Sequence, residues 1–116
     1  MKSLVLEYIT GFYEGEGCCA FYKYDSIKSK GRLTVRISQN ERYILDWISH
    51  VFNAGSVHWV NGSNCYYLDF GTSASRKFLY HVLPRMKVRK KILQAKKALR
   101  LDKKHIKKPR GFKQWV

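Results

Sequence analysis

Residues 3–17 read Ser3-Leu4-Val5-Leu6-Glu7-Tyr8-Ile9-Thr10-Gly11-Phe12-Tyr13-Glu14-Gly15-Glu16-Gly17. Residues 3–14 are expected to form a helix ended by Gly15 and Gly17. The apolar positions do not keep to one stripe. Leu4, Tyr8, Gly11 and Gly15 line one face, and Val5, Ile9 and Phe12 line another. A short helix that is apolar nearly all round must be covered on two sides. The rest of a small chain covers one side; the other is left for a partner. Glu14 and Glu16 sit at the C-terminal end, where the helix dipole disfavours a carboxylate by roughly 0.3–1 kcal/mol. Two readings are open here: a bound cation that offsets the cost, or solvated carboxylates beside two glycines.

Working outward, residues 18–24 and 32–38 read as strands around a polar loop with Lys28, Lys30 and Gly31. The second alternates: Leu33, Val35 and Ile37 on one face, Arg32, Thr34, Arg36 and Ser38 on the other. Residues 41–53 form an amphipathic helix with Ile44, Leu45, Ile48 and Phe52 inward, stopped by Gly55. Strands 56–60 and 65–70 flank Asn61-Gly62-Ser63-Asn64, a hairpin signal. Ser73 or Ser75 is expected to cap a helix running to Leu83, where Pro84 interrupts it. A last basic helix covers residues 86–103.

The expected fold class is α+β: an αββαββα order followed by the last basic helix, with a four-stranded antiparallel sheet, helices on one face and the other face open. Residues 1–104 make one domain, and 105–116 a loosely ordered basic tail. The open face carries Arg32, Thr34, Arg36 and Ser38, then Ser56 and His58, with Tyr22 and Tyr24 from the first strand. Such a face either reads base edges in a major groove or is an ordinary solvated surface.

The chain has 116 residues, 45% apolar and 15% aromatic, enough for one packed core and too few residues for two. Its formal charge is +15. Residues 1–75 hold seven basic and seven acidic side chains, so the entire excess lies in residues 76–116, where Asp102 is the one acid. Such a block points to a polyanion, nucleic acid before an acidic membrane surface. The membrane alternative lacks a cationic helix with a free apolar face. No apolar run approaches the ~18 residues of a bilayer span, and no secretory leader is expected. Cys18, Cys19 and Cys65 lack metal-ligand spacing and suit a reducing, intracellular setting. His50, His58, His81 and His105 are scattered, and each reads as an ordinary helix, strand or tail residue. No Ser/His/Asp set or phosphate-cradling glycine loop competes with the acids.

Ile9-Thr10-Gly11-Phe12-Tyr13-Glu14-Gly15-Glu16-Gly17 resembles the signature of the LAGLIDADG homing endonucleases, and the element order that follows is similar over roughly residues 3–100. The resemblance implies that motif helices of two subunits pack together through Tyr8, Gly11, Phe12 and Gly15. With one motif per chain, the active form it implies is a homodimer. Glu16 would coordinate the catalytic divalent metal, Mg²⁺ or another such as Mn²⁺, with the Gly15 carbonyl contributing. Glu14 would be structural, capping or supporting the partner helix. Gln39 resembles the polar residue that positions water near the metal; a strand-end turn residue is its other reading. Arg89 resembles the base that approaches the scissile phosphate, and Lys87 and Lys90 compete for that assignment. Two residues depart from the pattern: Thr10 stands where Ala is usual, and Tyr13 where an aliphatic residue is usual.

The implied function is site-specific double-strand cleavage of DNA at a long, near-palindromic target, promoting mobility of an intron or intein. The implied setting is a bacterial or archaeal cytoplasm, a mitochondrion or a chloroplast. The alternative is a relative that binds without cutting: a maturase acting on its own intron RNA, or a regulatory DNA binder.

Overall fold

Strand alternation decides which way the sheet faces. In the computed structural model, which describes residues 2–23 and 31–105, Leu33, Val35 and Ile37 are fully buried while Arg32 and Arg36 are exposed. The elements run α1 (Ser3–Glu16), β1 (Gly17–Lys23), β2 (Gly31–Gln39), α2 (Arg42–Phe52), β3 (Ser56–Val60), β4 (Cys65–Phe70), α3 (Thr72–Val82) and α4 (Arg89–His105). Short 3₁₀ turns at Asn61–Ser63 and Leu83–Arg85 join β3 to β4 and follow α3. Tyr24, Lys28, Lys30 and the expected tail beyond residue 105 lie outside the described residues.

The four strands form one antiparallel sheet in the order β1-β2-β4-β3. All four helices contribute to a single buried cluster with the inward strand residues, so they share one face of the sheet. At its centre Phe78 packs against Phe52 (centroids 4.9 Å), Phe70 (5.2 Å) and Tyr13 (5.3 Å). Tilted and edge-on rings at such spacing bring quadrupole attraction in addition to area burial.

Two glycines are required by local geometry. Gly55 has φ +92, and a Cβ there would lie 2.8 Å from Leu68 Cδ1. It turns the chain sharply after Asn53, itself left-handed (φ 51), which ends α2. At Gly17 a Cβ would fall 2.5 Å from the Tyr13 ring, so the buried tyrosine leaves no room for a side chain where helix becomes strand.

Most boundaries differ from those expected by a residue or two, and three of the differences have a local cause. α1 runs through Gly15 to Glu16, because the glycines do not break it until the Gly17 N–H returns to the Tyr13 carbonyl. α3 starts at Thr72 after Gly71 with no side-chain cap. Ser75 is buried one turn inside, donating to the Phe70 carbonyl at 3.2 Å, so it ties helix to strand instead of capping. α4 begins at Arg89 and not at 86, for a reason that belongs to the site.

α4 lies along the outer edge of β1. Gln94 Oε1 accepts the Cys19 N–H at 3.3 Å, and Lys91 Nζ donates to the Gly17 carbonyl. At its far end Asp102, 1% exposed, accepts both Nε (2.8 Å) and Nη2 (3.1 Å) of Arg76 on α3.

Candidate active site and nucleic-acid interface

The end of α1 meets the start of α4 through one carboxylate. Glu14 Oε2 accepts the backbone N–H of Lys87 at 2.7 Å and of Val88 at 2.5 Å. An ionised acceptor roughly doubles the strength of such bonds. The two N–H groups are therefore held outside the helix while Met86 is buried in extended conformation, which delays α4 to Arg89. Glu14 thus supports its own chain's basic segment. Lys87, Arg89 and Lys90, all exposed, are brought to the end of α1 by this clamp. Lys91, one residue further, is the base tied to the first residue of β1. It was not singled out from the sequence, because nothing in the run Arg89-Lys90-Lys91 distinguishes its members until the phase of α4 is known.

Glu16, the last residue of α1, is exposed, and no described side chain pairs with its carboxylate. Its backbone carbonyl is near Ser38 Oγ (3.5 Å). Gly17 is the cross-strand partner of Ile37, which places Gln39 two residues beyond on the same side of the sheet end. The Gln39 Oε1 accepts the Asn40 N–H at 2.8 Å, closing a local turn and leaving its amide N–H groups to donate elsewhere.

The open face collects Cys18, Ala20 and Tyr22 from β1 and Arg32, Thr34 and Arg36 from β2 around a shallow concavity of about 430 Å³ that Asp69 also borders. Ser38 ends the β2 row, and Ser56 and His58 extend the face on β3. Tyr67 and Asp69 of β4 point outward, alternating with the buried Leu68 and Phe70. Neither was assigned a role from the sequence; the signal was present in the alternation Tyr67-Leu68-Asp69-Phe70. Arg36 donates from Nε to Asp69 Oδ1 at 2.6 Å and from Nη2 to Oδ2 at 3.4 Å. The hydrogen bonds that Arg36 donates to Asp69 raise the Arg36 pKa further, so this side chain is firmly cationic.

The opposite side of α1 is apolar and bare. Leu4 is 82% exposed and Tyr8 56%, and a Cβ on Gly11 or Gly15 would meet nothing within 4 Å. Tyr8 stacks on half-buried Phe12 and meets Trp47 of α2 edge-on at 5.8 Å. Thr10 and Tyr13, the two departures from the motif, point the other way. Thr10 is buried and donates to the Leu6 carbonyl at 2.6 Å, and Tyr13 is fully buried with its hydroxyl beside Cys19. Both leave the bare face unchanged.

No protein-family profile and no curated protein sequence matches the chain. Solved structures do. The chain is similar to the homing endonuclease I-CvuI, solved with a DNA target in the presence of Mg with the DNA not cleaved: TM-score 0.73, 22% identity, over 88% of this chain and 68% of that one. It is similar also to an archaeal intron-encoded homing endonuclease complexed with DNA (TM-score 0.66, 20% identity, 89% of this chain, 72% of that one). A third is the LAGLIDADG homing endonuclease I-LtrWI bound to target DNA (TM-score 0.69, 19% identity, 90% of this chain, 39% of that one).

The chain has the LAGLIDADG homing-endonuclease fold. That fold implies a divalent cation, and the donors at the end of α1 suit a hard one. Glu16 supplies a carboxylate that is unpaired among the described residues, and Gly15 stands in the last helical turn, at the negative end of the dipole. Among the described residues no cluster of three or more His, Cys, Asp or Glu could hold a metal within one chain. Mg²⁺ needs only one or two carboxylates, with water and phosphate oxygens completing its shell. A metal held by Glu16 would take its remaining ligands from outside the chain. No described helix is long and apolar enough to cross a membrane.

Proposed function

We propose that two copies of this chain form a metal-dependent endonuclease that cuts both strands of a long, near-palindromic DNA site. The observation that carries this reading is the Glu14 clamp, which fixes the backbone of Lys87 and Val88, the start of an exposed basic segment, to the helix that ends in Glu16, whose exposed carboxylate is unpaired among the described residues. A basic segment and a carboxylate anchored to one helix end suit a phosphodiester and a metal between them. The bare face of Leu4, Tyr8, Phe12 and the two open glycines supports a second copy as the cover for α1. Packing there would set the two Glu16 carboxylates side by side across the two-fold axis.

In this reading Glu16 and the Gly15 carbonyl hold Mg²⁺, or Mn²⁺ in its place. When bound, the ion activates water and neutralises charge on the leaving oxygen. Arg89, flanked by Lys87 and Lys90, offers its guanidinium to the scissile phosphate. The Gln39 amide N–H groups orient water at the strand end. Tyr22, Arg32, Thr34, Arg36, Ser38, Ser56 and His58 face the groove, with Tyr24 as a further contact from outside the described residues. The biological role that follows is mobility of the encoding intron or intein.

The test is selection of cleavable sites from a randomised duplex library in Mg²⁺, by sequencing the cut ends. Wild type is expected to yield a near-palindromic consensus. Glu16→Gln is expected to lower cutting of that site by about 10²-fold or more while retaining DNA binding in Ca²⁺. If wild type and Glu16→Gln nick DNA equally, the site assignment fails.

A further inference from the structure

Asp69 is an acid in the middle of a surface otherwise dressed for a polyanion. It lies on β4 directly opposite Arg36 of β2, in the two central strands of the sheet. Besides the two Arg36 bonds, His58 Nε2 of β3 approaches its Oδ2 at 3.1 Å. The Arg36 guanidinium also lies 4.7 Å from the centroid of the Tyr67 ring, and the Tyr67 hydroxyl is 3.2 Å from Ser63 Oγ. His58 meets the same ring edge-on at 6.3 Å. Three strands thus fix one arginine by its edge and by its face.

The geometry of the fixed edge determines what remains. Asp69 takes the side of the guanidinium formed by Nε and Nη2. Arginine has five N–H donors; the carboxylate uses two, and the forward fork of Nη1 and Nη2 stays available on a side chain that is 50% exposed. Two parallel donors of that kind match O6 and N7 of guanine in the major groove; adenine and cytosine present an amino donor at the corresponding position. A phosphate contact fits less well. On a sheet laid in the groove, the central strands would face the floor, whereas phosphates run along the rims. A carboxylate behind the guanidinium also removes the net charge that a phosphate would seek.

We infer that Arg36 reads a guanine in each half-site and that Asp69 is the positioning residue that makes the reading specific. This rests on the DNA-cleaving function proposed above and deepens it. Without Asp69 the arginine keeps its charge but swings among phosphates and other base acceptors. Sequence preference at one position then falls while affinity for DNA in general holds or rises, since an acid has left the surface.

The experiment is selection of bound sequences from a randomised duplex library in Ca²⁺, with wild type, Arg36→Ala, Asp69→Asn and Asp69→Ala compared position by position. Circular dichroism melting establishes that each variant folds. Wild type is expected to prefer guanine by about tenfold or more at one position per half-site. Arg36→Ala is expected to flatten that position alone. Asp69→Ala is expected to flatten the same position with undiminished binding to bulk DNA, and Asp69→Asn, which keeps one acceptor oxygen, to fall between. Guanine preference unchanged in folded Asp69→Ala overturns the proposal, as does a preference untouched by Arg36→Ala. A wild type that binds the library without selecting any sequence overturns the proposed function as well, so the two failures are told apart. Loss of all DNA binding in folded Asp69→Ala also counts against it, because a positioning residue acts on preference and not on affinity at large.

Discussion

Glu14 and Glu16 lie two residues apart and do different things because a helix turns about 100° per residue. Glu14 points along the chain's own surface and is consumed by two backbone N–H groups; Glu16 points away and keeps its charge free. Removing the first should therefore loosen structure before chemistry. Hydrogen bonds to a charged group contribute roughly 1.5–3 kcal/mol each when buried, and this carboxylate is half-buried. Glu14→Ala is expected to cost about 2 kcal/mol in urea denaturation, and to reduce cleavage with little change in DNA affinity. Glu14→Gln keeps an acceptor oxygen and should recover part of both. If Glu14→Ala melts like wild type, the clamp contributes nothing to holding residues 87–90 in place.

At the scale of elements, α1 has two faces with opposite requirements. Leu6, Ile9, Thr10 and Tyr13 fill the core, while Gly11 and Gly15 open onto empty space on the other side. Glycine inside a helix costs roughly 0.5–1 kcal/mol relative to alanine, and nothing within the subunit returns that cost. Gly11→Ala is accordingly expected to stabilise the isolated chain by about that amount, since its Cβ meets no atom. In sedimentation the same variant should associate more weakly, because close approach of two backbones is what the missing side chain permits. An unaltered dimer would point to a different contact face.

The two-sidedness of α1 is legible from the order of its apolar residues, as are β3 and β4, whose limits at Ser56–Val60 and Cys65–Phe70 coincide with the runs between turn residues. Two limits were not legible, for one reason. The delayed start of α4 is imposed by Glu14, 73 residues away in sequence, and the uncapped start of α3 follows from Ser75 reaching back to Phe70. Local propensity carries no trace of a bond whose partner arrives by folding. Asp69 illustrates the same limit at the candidate site. Its place on the open face follows the alternation of β4 and was not read from the sequence, and its meaning depends on Arg36 and His58 standing opposite on two other strands.

For the whole molecule, the charge divides the labour. The neutral first part builds the sheet and carries Glu16, and in the proposed function the basic remainder would supply the contacts to phosphate that salt weakens. That remainder needs an anchor, because a helix of like charges repels itself. Asp102, the one acid of the block, provides it from a buried position on α4 against Arg76 of α3. Removing one member of a buried pair typically costs 3–5 kcal/mol. Arg76 keeps 29% of its side chain exposed, so Asp102→Ala is expected near the lower end, about 2–3 kcal/mol by urea midpoint. Arg76→Met with Asp102→Leu, an apolar pair of similar size, should restore most of that loss. Failure of the double variant to recover would mean that the pair does more than fasten α4.

The bonds from Gln94 and Lys91 to β1 have a further consequence. β1 is an outermost strand, and an outermost strand with free N–H and C=O groups is a template on which another chain can extend the sheet without limit. Here the Cys19 N–H and the Gly17 carbonyl are already occupied by a charged helix laid along that border. Growth of the sheet past β1 would require α4 to lift off. In the proposed pairing, two copies would therefore meet through the bare stripe of α1 and not by lengthening the sheet past β1.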